Sequence, residues 1–240
     1  MKDDLIQSIA HTDCTRESRS MRSNCATCSI RDRMLFADID IEASAPILEP
    51  IYHTWHEPGE FLYQQGEQSG AIYSIRRGIV KLSILSPEGD IRIVRLIGPG
   101  ATIGLEALLE KPYEHTAEPL RPADICHLPV RVIKKLSDEQ PVLFDGLMHH
   151  WHQSVLQADK HILQLSTGPI RNRVINLLNA IHDLCEQGNT SFLLPSNQDC
   201  STFVAARVET VSRIIAELKR TGFLTRNEAG DWAVARIKTA

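Results

Sequence analysis

The chain has 240 residues, 42% hydrophobic and 23% charged, with a formal net charge of −4. That length can bury one large core or two ordinary ones, and the composition is that of a globular protein. A mildly acidic chain is no general nucleic-acid coat, so any DNA contact must come from a local patch of cations.

Residues 1–34 form a polar, cysteine-bearing N-terminal segment, expected to be loosely ordered unless a ligand holds it down. It begins Met1-Lys2-Asp3-Asp4 and lacks the apolar stretch of an export signal. No later run reaches the roughly 20 apolar residues of a membrane span, so the expected setting is the cytoplasm with no membrane partner. The six cysteines, Cys14, Cys25, Cys28, Cys126, Cys185 and Cys200, are too scattered for a secreted disulfide scaffold. In a reducing compartment they are thiols, metal ligands or redox switches.

From 35 to 137 the chain alternates short β-branched runs (Ala71–Ile75, Ile79–Leu85, Ile91–Ile97) with glycine and proline turns such as Pro87-Glu88-Gly89 and Gly98-Pro99-Gly100. This spacing predicts an antiparallel sandwich, barrel or roll. Across 138–167 the pattern becomes helical, with Phe144, Leu147, Met148, Trp151, Val155, Leu156, Ile162 and Leu165 at steps of three and four, ended by Thr167-Gly168-Pro169. A stripe sustained for some 25 residues suits pairing with a second copy, with Phe144, Leu147, Trp151, Val155 and Ile162 at the seam. Packing on the chain's own sheet is the alternative.

A further amphipathic helix follows over 169–187, opening a small α-rich module, 168–240. Within it, Ser196 is placed to cap a helix over Asn197–Val204. After Ala205-Ala206 a second helix runs Arg207–Arg220, with Val208, Val211, Ile214, Ile215 and Leu218 turned inward. Helix, tight turn and helix is the unit whose second member enters the major groove. Its leading polar residues, Arg207, Glu209, Thr210, Ser212 and Arg213, suit base reading: arginine forks onto guanine, and glutamate accepts from the cytosine amino group. Lys219, Arg220, Arg171 and Arg173 suit phosphate contacts. Alone, Glu209 and Arg213 would be only an ion pair one helical turn apart.

Val208-Glu209-Thr210-Val211-Ser212-Arg213 resembles the recognition helix of the CRP/FNR superfamily, in the Glu-x-x-Ser-Arg form of its FNR branch. The resemblance extends over the Ile72–Gly78 and Gly98-Pro99-Gly100 stretches. It implies an α+β fold: an N-terminal antiparallel β-roll of the cyclic-nucleotide-binding type, a long dimerisation helix and a C-terminal winged helix-turn-helix. It further implies a homodimer reading palindromic TTGAT-like half-sites in double-stranded DNA and recruiting RNA polymerase, with activation or repression left open. The family often has glycine at the turn where Ala205 stands, so a left-handed alanine costing about 1 kcal/mol is expected there.

The cyclic-nucleotide branch holds its phosphate with a Gly-Glu-Leu and Arg-Ser/Thr cassette. Here the matching region, Gly104-Leu105-Glu106-Ala107 through Glu114-His115-Thr116-Ala117, has Leu105 in place of the glutamate and no arginine near His115. A phosphate there is expected to meet Glu106, Glu110, Glu114 and Glu118 with no balancing cation, which argues against cAMP. The FNR branch instead holds an oxygen-labile [4Fe-4S] cluster on three N-terminal cysteines and one in the roll. Cys25-Ala26-Thr27-Cys28 resembles the N-terminal pair, and Cys126 the roll ligand. The third N-terminal cysteine would fall near Met34 or Phe36, so Cys14 is the remaining candidate for a set of Cys14, Cys25, Cys28 and Cys126. Iron–sulfur clusters need four thiolates close in space more than fixed spacing.

Thiol oxidation, a zinc half-site, a small ligand, or haem on His149, His150, His152 or His161 are the alternatives. Cys185 and Cys200, at apolar helix positions, read as core. An enzyme using the Cys25/Cys28 dithiol, or the His53–Glu57 stretch, is the rival from another class. The chain has no phosphate loop, nucleophile elbow or HExxH to support it.

Overall fold

A computed structural model describes residues 20–185, 192, 194–227 and 231–234. Strand β1 (Ser20–Arg22) leads through a short 3-10 turn at Arg31–Arg33 to helix α1 (Ile41–Leu48), whose N-cap Asp40 accepts from the Ala43 amide. Residues 20–33 are therefore not loose. β1 pairs antiparallel with β2 (Tyr52–His56), the Arg22 guanidinium meets the Glu49 carboxylate, and Met34, Leu35 and Phe36 enter the core. Edge pairing plus three anchoring side chains supplies what composition alone could not reveal.

The roll continues with β3 (Ala71–Arg77), β4 (Val80–Leu85), β5 (Ile91–Ile97), β6 (Thr102–Ile103), β7 (Thr116–Pro119) and β8 (Ala123–Pro129). They form two antiparallel sheets, ordered β1-β2-β8-β3-β6 and β5-β4-β7. Gly78 turns β3 into β4 at φ +87°, where an added Cβ would lie 2.3 Å from the Pro122 carbonyl oxygen. Only glycine fits that close approach. Buried Ile72, Ile75, Leu82, Ile125 and Leu128 fill the space between the sheets, each contributing about 1.5–3 kcal/mol by leaving water.

Helix α2 (Val130–Glu139) follows β8 directly, laying Val132, Ile133 and Leu136 on the roll. It occupies ground where the sequence pattern suggested only strand, because six of its ten residues are charged or polar and its apolar stripe is short. Helix α3 (Val142–Ser166) has 25 residues and buries Leu143, His161 and Leu165 against its own chain. The opposite face leaves Phe144, Met148, Trp151, Val155 and Ile162 exposed, at steps of four, three, four and seven. Leu147 does not belong to that stripe: it packs on the roll core.

Helix α4 (Ile170–Leu184) opens the C-terminal module, followed by α5 (Asn197–Val204), α6 (Val208–Arg220) and the antiparallel hairpin β9 (Leu224–Arg226) and β10 (Trp232–Val234). Val174, Leu178, Phe203, Val211 and Leu218 make its core, and Ile79, Ile93 and Leu96 of the roll join the same buried cluster. Lys81 of β4 reinforces the junction, with Nζ 2.7 Å from Asp199 Oδ1 and 3.2 Å from Glu118 Oε1. The C-terminal module is therefore docked on the roll rather than strung from it.

Between α5 and α6, Ala205 adopts φ 50°, ψ 54°, the left-handed conformation in which a Cβ is strained. Ala205→Gly is expected to raise stability by about 0.5–1 kcal/mol, read as a higher thermal midpoint. An unchanged or lower midpoint would mean that the turn carries no strain.

Candidate functional site

Helices α5 and α6 build the first site. The Ser196 hydroxyl accepts from the Asp199 amide at 3.0 Å and donates to the Asp199 carboxylate at 2.6 Å, so its first task is capping α5. Ala205 then reverses the chain, and Arg207 stands as the N-cap of α6. Val211, Ile215 and Leu218 face the core, a helical period that turns Arg207, Glu209 and Arg213 fully outward and leaves Thr210 and Ser212 half-exposed beside them. This polar group sits at the positive end of the α6 dipole.

Two cations expected at phosphates are engaged elsewhere. Arg173 donates to the Val204 carbonyl at 2.7 Å, tying α4 to the end of α5, and Arg171 lies 3.2 Å from Glu217. Lys219 sits with its ammonium 4.3 Å from the centre of the Trp232 ring in β10, a cation–π contact that orients it beside the hairpin.

The second site is a small cavity of about 30 Å³ between the N-terminal segment and the roll. Cys25, Cys28 and Cys126 all line it, with Ser23, Arg76 and Met34. Cys126 is carried on β8 opposite Ser74 of β3 and His53 of β2, and β1 brings the Cys25–Cys28 turn over it. Burial, reinforced by Cys28, pushes the Cys25 thiol up to about 11, against the pull of Arg76. Burial pushes Cys126 up to about 12, with Ser23 and Arg76 acting the other way. Met34 and Phe36 line the same cavity, and Met34 Sδ is 3.8 Å from Cys28 Sγ. Cys14 lies outside the described residues.

Beneath the thiols, the buried Asp124 carboxylate accepts from Arg76 Nη1 at 2.7 Å and lies 2.7 Å from His53 Nδ1. His53 is thus part of an internal ion network and not of an open catalytic cleft. Among the described residues no three His, Cys, Asp or Glu side chains converge closely enough to hold a metal ion. Zinc would need thiolates about 2.3 Å from one centre.

Other sequence candidates separate. His161 is buried against the roll, and burial holds its imidazole down to about 4. His149 and His150 stand edge to face, 6.2 Å apart, and burial lowers His150. Cys200 is a core thiol, whereas Cys185 is half-buried, with Arg121 Nη1 3.1 Å from its sulfur. No local sequence signal marks this contact, since Arg121 is 64 residues away.

A third cavity, about 630 Å³, lies between the roll and α3. Gly104, Leu105, Glu106, Glu114 and His115 line it, but so do Arg95 and Lys111. The expectation that the acidic groups there lack any cation is therefore overturned: Arg95 Nη2 comes within 3.5 Å of His115 Nε2.

A roll of two antiparallel sheets, a long helix with a bare apolar stripe and a helix-turn-helix backed by a hairpin are the architecture of a DNA-binding transcription regulator. Residues 54–140 match the cyclic nucleotide-binding domain family. Over 209 residues the chain is 22% identical to the transcriptional activator protein Anr of Pseudomonas aeruginosa, covering 85% of this chain and 86% of that one. With the regulatory protein HlyX of Actinobacillus pleuropneumoniae it shares 21% over 234 residues, 92% of each. The solved structure of FixK2 from Bradyrhizobium japonicum superposes with a TM-score of 0.66 at 20% identity, over 77% of this chain and 92% of that one. Over most of its length the chain is thus similar to transcription regulators of the FNR-like type, with a cyclic nucleotide-binding domain match in its roll. No helix among the described residues is long and apolar enough to cross a membrane.

Proposed function

We propose that this chain is a homodimeric, sequence-specific DNA-binding transcription regulator of the FNR type, in which 35–137 senses, 138–167 pairs the subunits and 168–240 binds DNA. The observation that carries the reading is the outward presentation of Arg207, Glu209 and Arg213 at the start of α6. Thr210, Ser212 and the α5 cap at Ser196 flank them, on a face that a major groove accepts. The proposed target is a palindrome of TTGAT-like half-sites, with RNA polymerase as the downstream partner. Relatives named as transcriptional activators and anaerobic regulators support the regulator reading.

The exposed row Phe144, Met148, Trp151, Val155 and Ile162 follows the spacing of a coiled-coil seam. Two copies paired there would carry their α6 helices to successive turns of one DNA face, so small changes at the seam become large changes in operator affinity.

For the signal we propose oxygen or redox state, read through a [4Fe-4S] cluster on Cys14, Cys25, Cys28 and Cys126. Two observations suit that group. Three thiols from two distant parts of the sequence line one cavity, and Arg76 beside them offsets the negative charge that thiolates bring. Bound there, a cluster would supply a centre that oxygen degrades, and the cysteines' own work is to tie the N-terminal segment to β8. Direct thiol oxidation fits less well, because redox-sensor thiols are acidic and accessible, whereas Cys25 is raised to about 11 and Cys126 to about 12.

Arg213→Ala is expected to weaken binding to a TTGAT-palindrome duplex by roughly 10–100-fold, about 1–3 kcal/mol, with little effect on scrambled DNA. Fluorescence anisotropy against both duplexes measures this. Equal binding of the two proteins to the palindrome would overturn the assignment of α6.

A further inference from the structure

The cysteine pocket has a charged wall that the thiols do not explain. β3 and β8 pair in step from Ala71 opposite Pro129 to Ile75 opposite Ile125, but the next pair is Arg77 opposite Asp124. Arg76 is therefore the extra residue of a β-bulge, a break in the ladder that re-aims a side chain. Here the side chain is a guanidinium that lines the same cavity as Cys25, Cys28 and Cys126.

It is anchored from behind and engaged in front. Arg76 Nη1 donates to Asp124 Oδ2 at 2.7 Å, and Asp124 Oδ1 lies 2.7 Å from His53 Nδ1. The Asp124 and His53 side chains are 1% and 2% exposed. Toward the cavity the guanidinium hydrogen-bonds Cys28. Burial works against its charge, but Asp124, then Cys126 and Cys28, outweigh burial and keep it protonated. Burial likewise raises Cys25 and Cys126, and Arg76 is the charge that opposes it at both, its pull on Cys126 exceeding the push of Asp124.

A buried Asp–Arg pair is by itself a weak source of stability, one that apolar residues of similar volume often match. What an apolar pair cannot supply is a cation fixed against three sulfurs, in a pocket otherwise walled by Met34, Leu35, Phe36 and Leu128. A centre held by thiolates is an anion there, and charge and hydrogen bonds at its sulfurs set its retention and potential.

We propose that Arg76 is the positioning residue of the sulfur centre, a cation that Asp124 holds against the cysteines so that they can keep an anionic, thiolate-ligated group. The inference rests on the iron–sulfur reading above and adds to it a residue that is not a ligand.

The test compares anoxic full-length protein in four forms: unaltered, Arg76→Lys, Asp124→Asn, and the double variant Arg76→Gln, Asp124→Asn. Iron and sulfide content, the reduction midpoint of the loaded centre and the thermal midpoint of iron-free protein are measured. The double variant removes both charges and leaves neither buried alone, so its iron-free form should melt close to the unaltered one. Its iron should fall about tenfold, and what remains should be harder to reduce. About 59 mV more negative corresponds to tenfold in a one-electron equilibrium. Asp124→Asn keeps the cation and loses the opposing anion, so iron should stay and the midpoint should rise. Arg76→Lys should keep most of the iron.

Midpoints moving in opposite directions, with iron lost in the double variant alone, would support the role, since mere loosening of the pocket moves both the same way. Full iron in the double variant would overturn it and leave the cysteine ligands standing. So would Asp124→Asn losing as much iron as the double variant, or a midpoint in Asp124→Asn at or below the unaltered value, a reading that holds even if the double variant fails to fold. An unaltered protein without iron would overturn the cluster reading itself, and this role with it.

Discussion

Cys126→Ser is expected to remove essentially all iron from protein purified without oxygen, where the unaltered chain should carry about four irons and four sulfides. The substitution exchanges one buried sulfur for a slightly smaller oxygen on β8, with Ser23 already 3.6 Å away to pair with it, so the roll should fold as before. What is lost is a soft thiolate, the ligand type that iron–sulfur clusters require. Cys25→Ser and Cys28→Ser should behave alike. Cys200→Ser, fully buried in the other core, should keep its iron and serves as the control.

The thiol acidities add a sign that can be checked. Cys25 and Cys126, raised to about 11 and about 12, hold their protons at neutral pH, and ligation must release them. Cluster loading should therefore strengthen as pH rises from about 7 to 9. Iron uptake indifferent to pH, or iron retained by Cys126→Ser, would contradict the proposed ligand set. Retention by Cys14→Ser alone would put the fourth ligand elsewhere.

The double variant Trp151→Glu, Val155→Glu is expected to convert a dimer to a monomer. Both side chains are exposed in the single chain, so neither change disturbs the intramolecular core. In a paired seam, however, each copy would bring two carboxylates into an apolar contact and face two more across the axis. Uncompensated buried charge costs several kcal/mol, which exceeds what a seam of a few heptads can absorb. Light scattering should then report one chain where the unaltered protein gives two. Affinity for a palindromic duplex should fall by roughly a hundredfold or more, since a monomer reaches one half-site only. A variant that stays dimeric would place the interface elsewhere.

The helix-turn-helix was the most legible part of the chain. Ser196, the three-and-four spacing of Val208, Val211, Ile215 and Leu218, and the Thr221-Gly222 stop are local signals, and local capping and periodicity decide short helices. α3 was legible for the same reason, although its two apolar faces overlap in sequence: Leu147 and Met148 are neighbours, yet one packs on the roll and the other is bare. Periodicity marks both as apolar without saying which surface each meets.

The cavities of the roll were less legible, because they depend on pairing order. Arg95 and His115 meet only because β4 lies between β5 and β7. The register also slips between Leu82 and Ser83: Leu82 faces Arg95 while Ser83 faces Ile93, so β5 holds one extra residue. Such a bulge re-aims side chains and defeats simple alternation. The clustering of Cys25 and Cys28 with Cys126 was suggested by family resemblance; its physical cause, β1 adding to the edge of β2, leaves no signature in a strand of three residues, Ser20-Met21-Arg22. Ser196 shows the reverse case, a residue read as near the DNA whose local work is to cap a helix.

The most direct test of the central claim is anisotropy of a labelled TTGAT-palindrome duplex, against a scrambled one, with protein kept anoxic and then exposed to air at fixed salt. The account predicts that anoxic protein binds the palindrome about 10³-fold or more tighter than the scrambled duplex, and that air removes most of that preference. Equal binding to both duplexes would contradict the claim that this chain reads DNA sequence. A preference untouched by air would contradict the oxygen input alone.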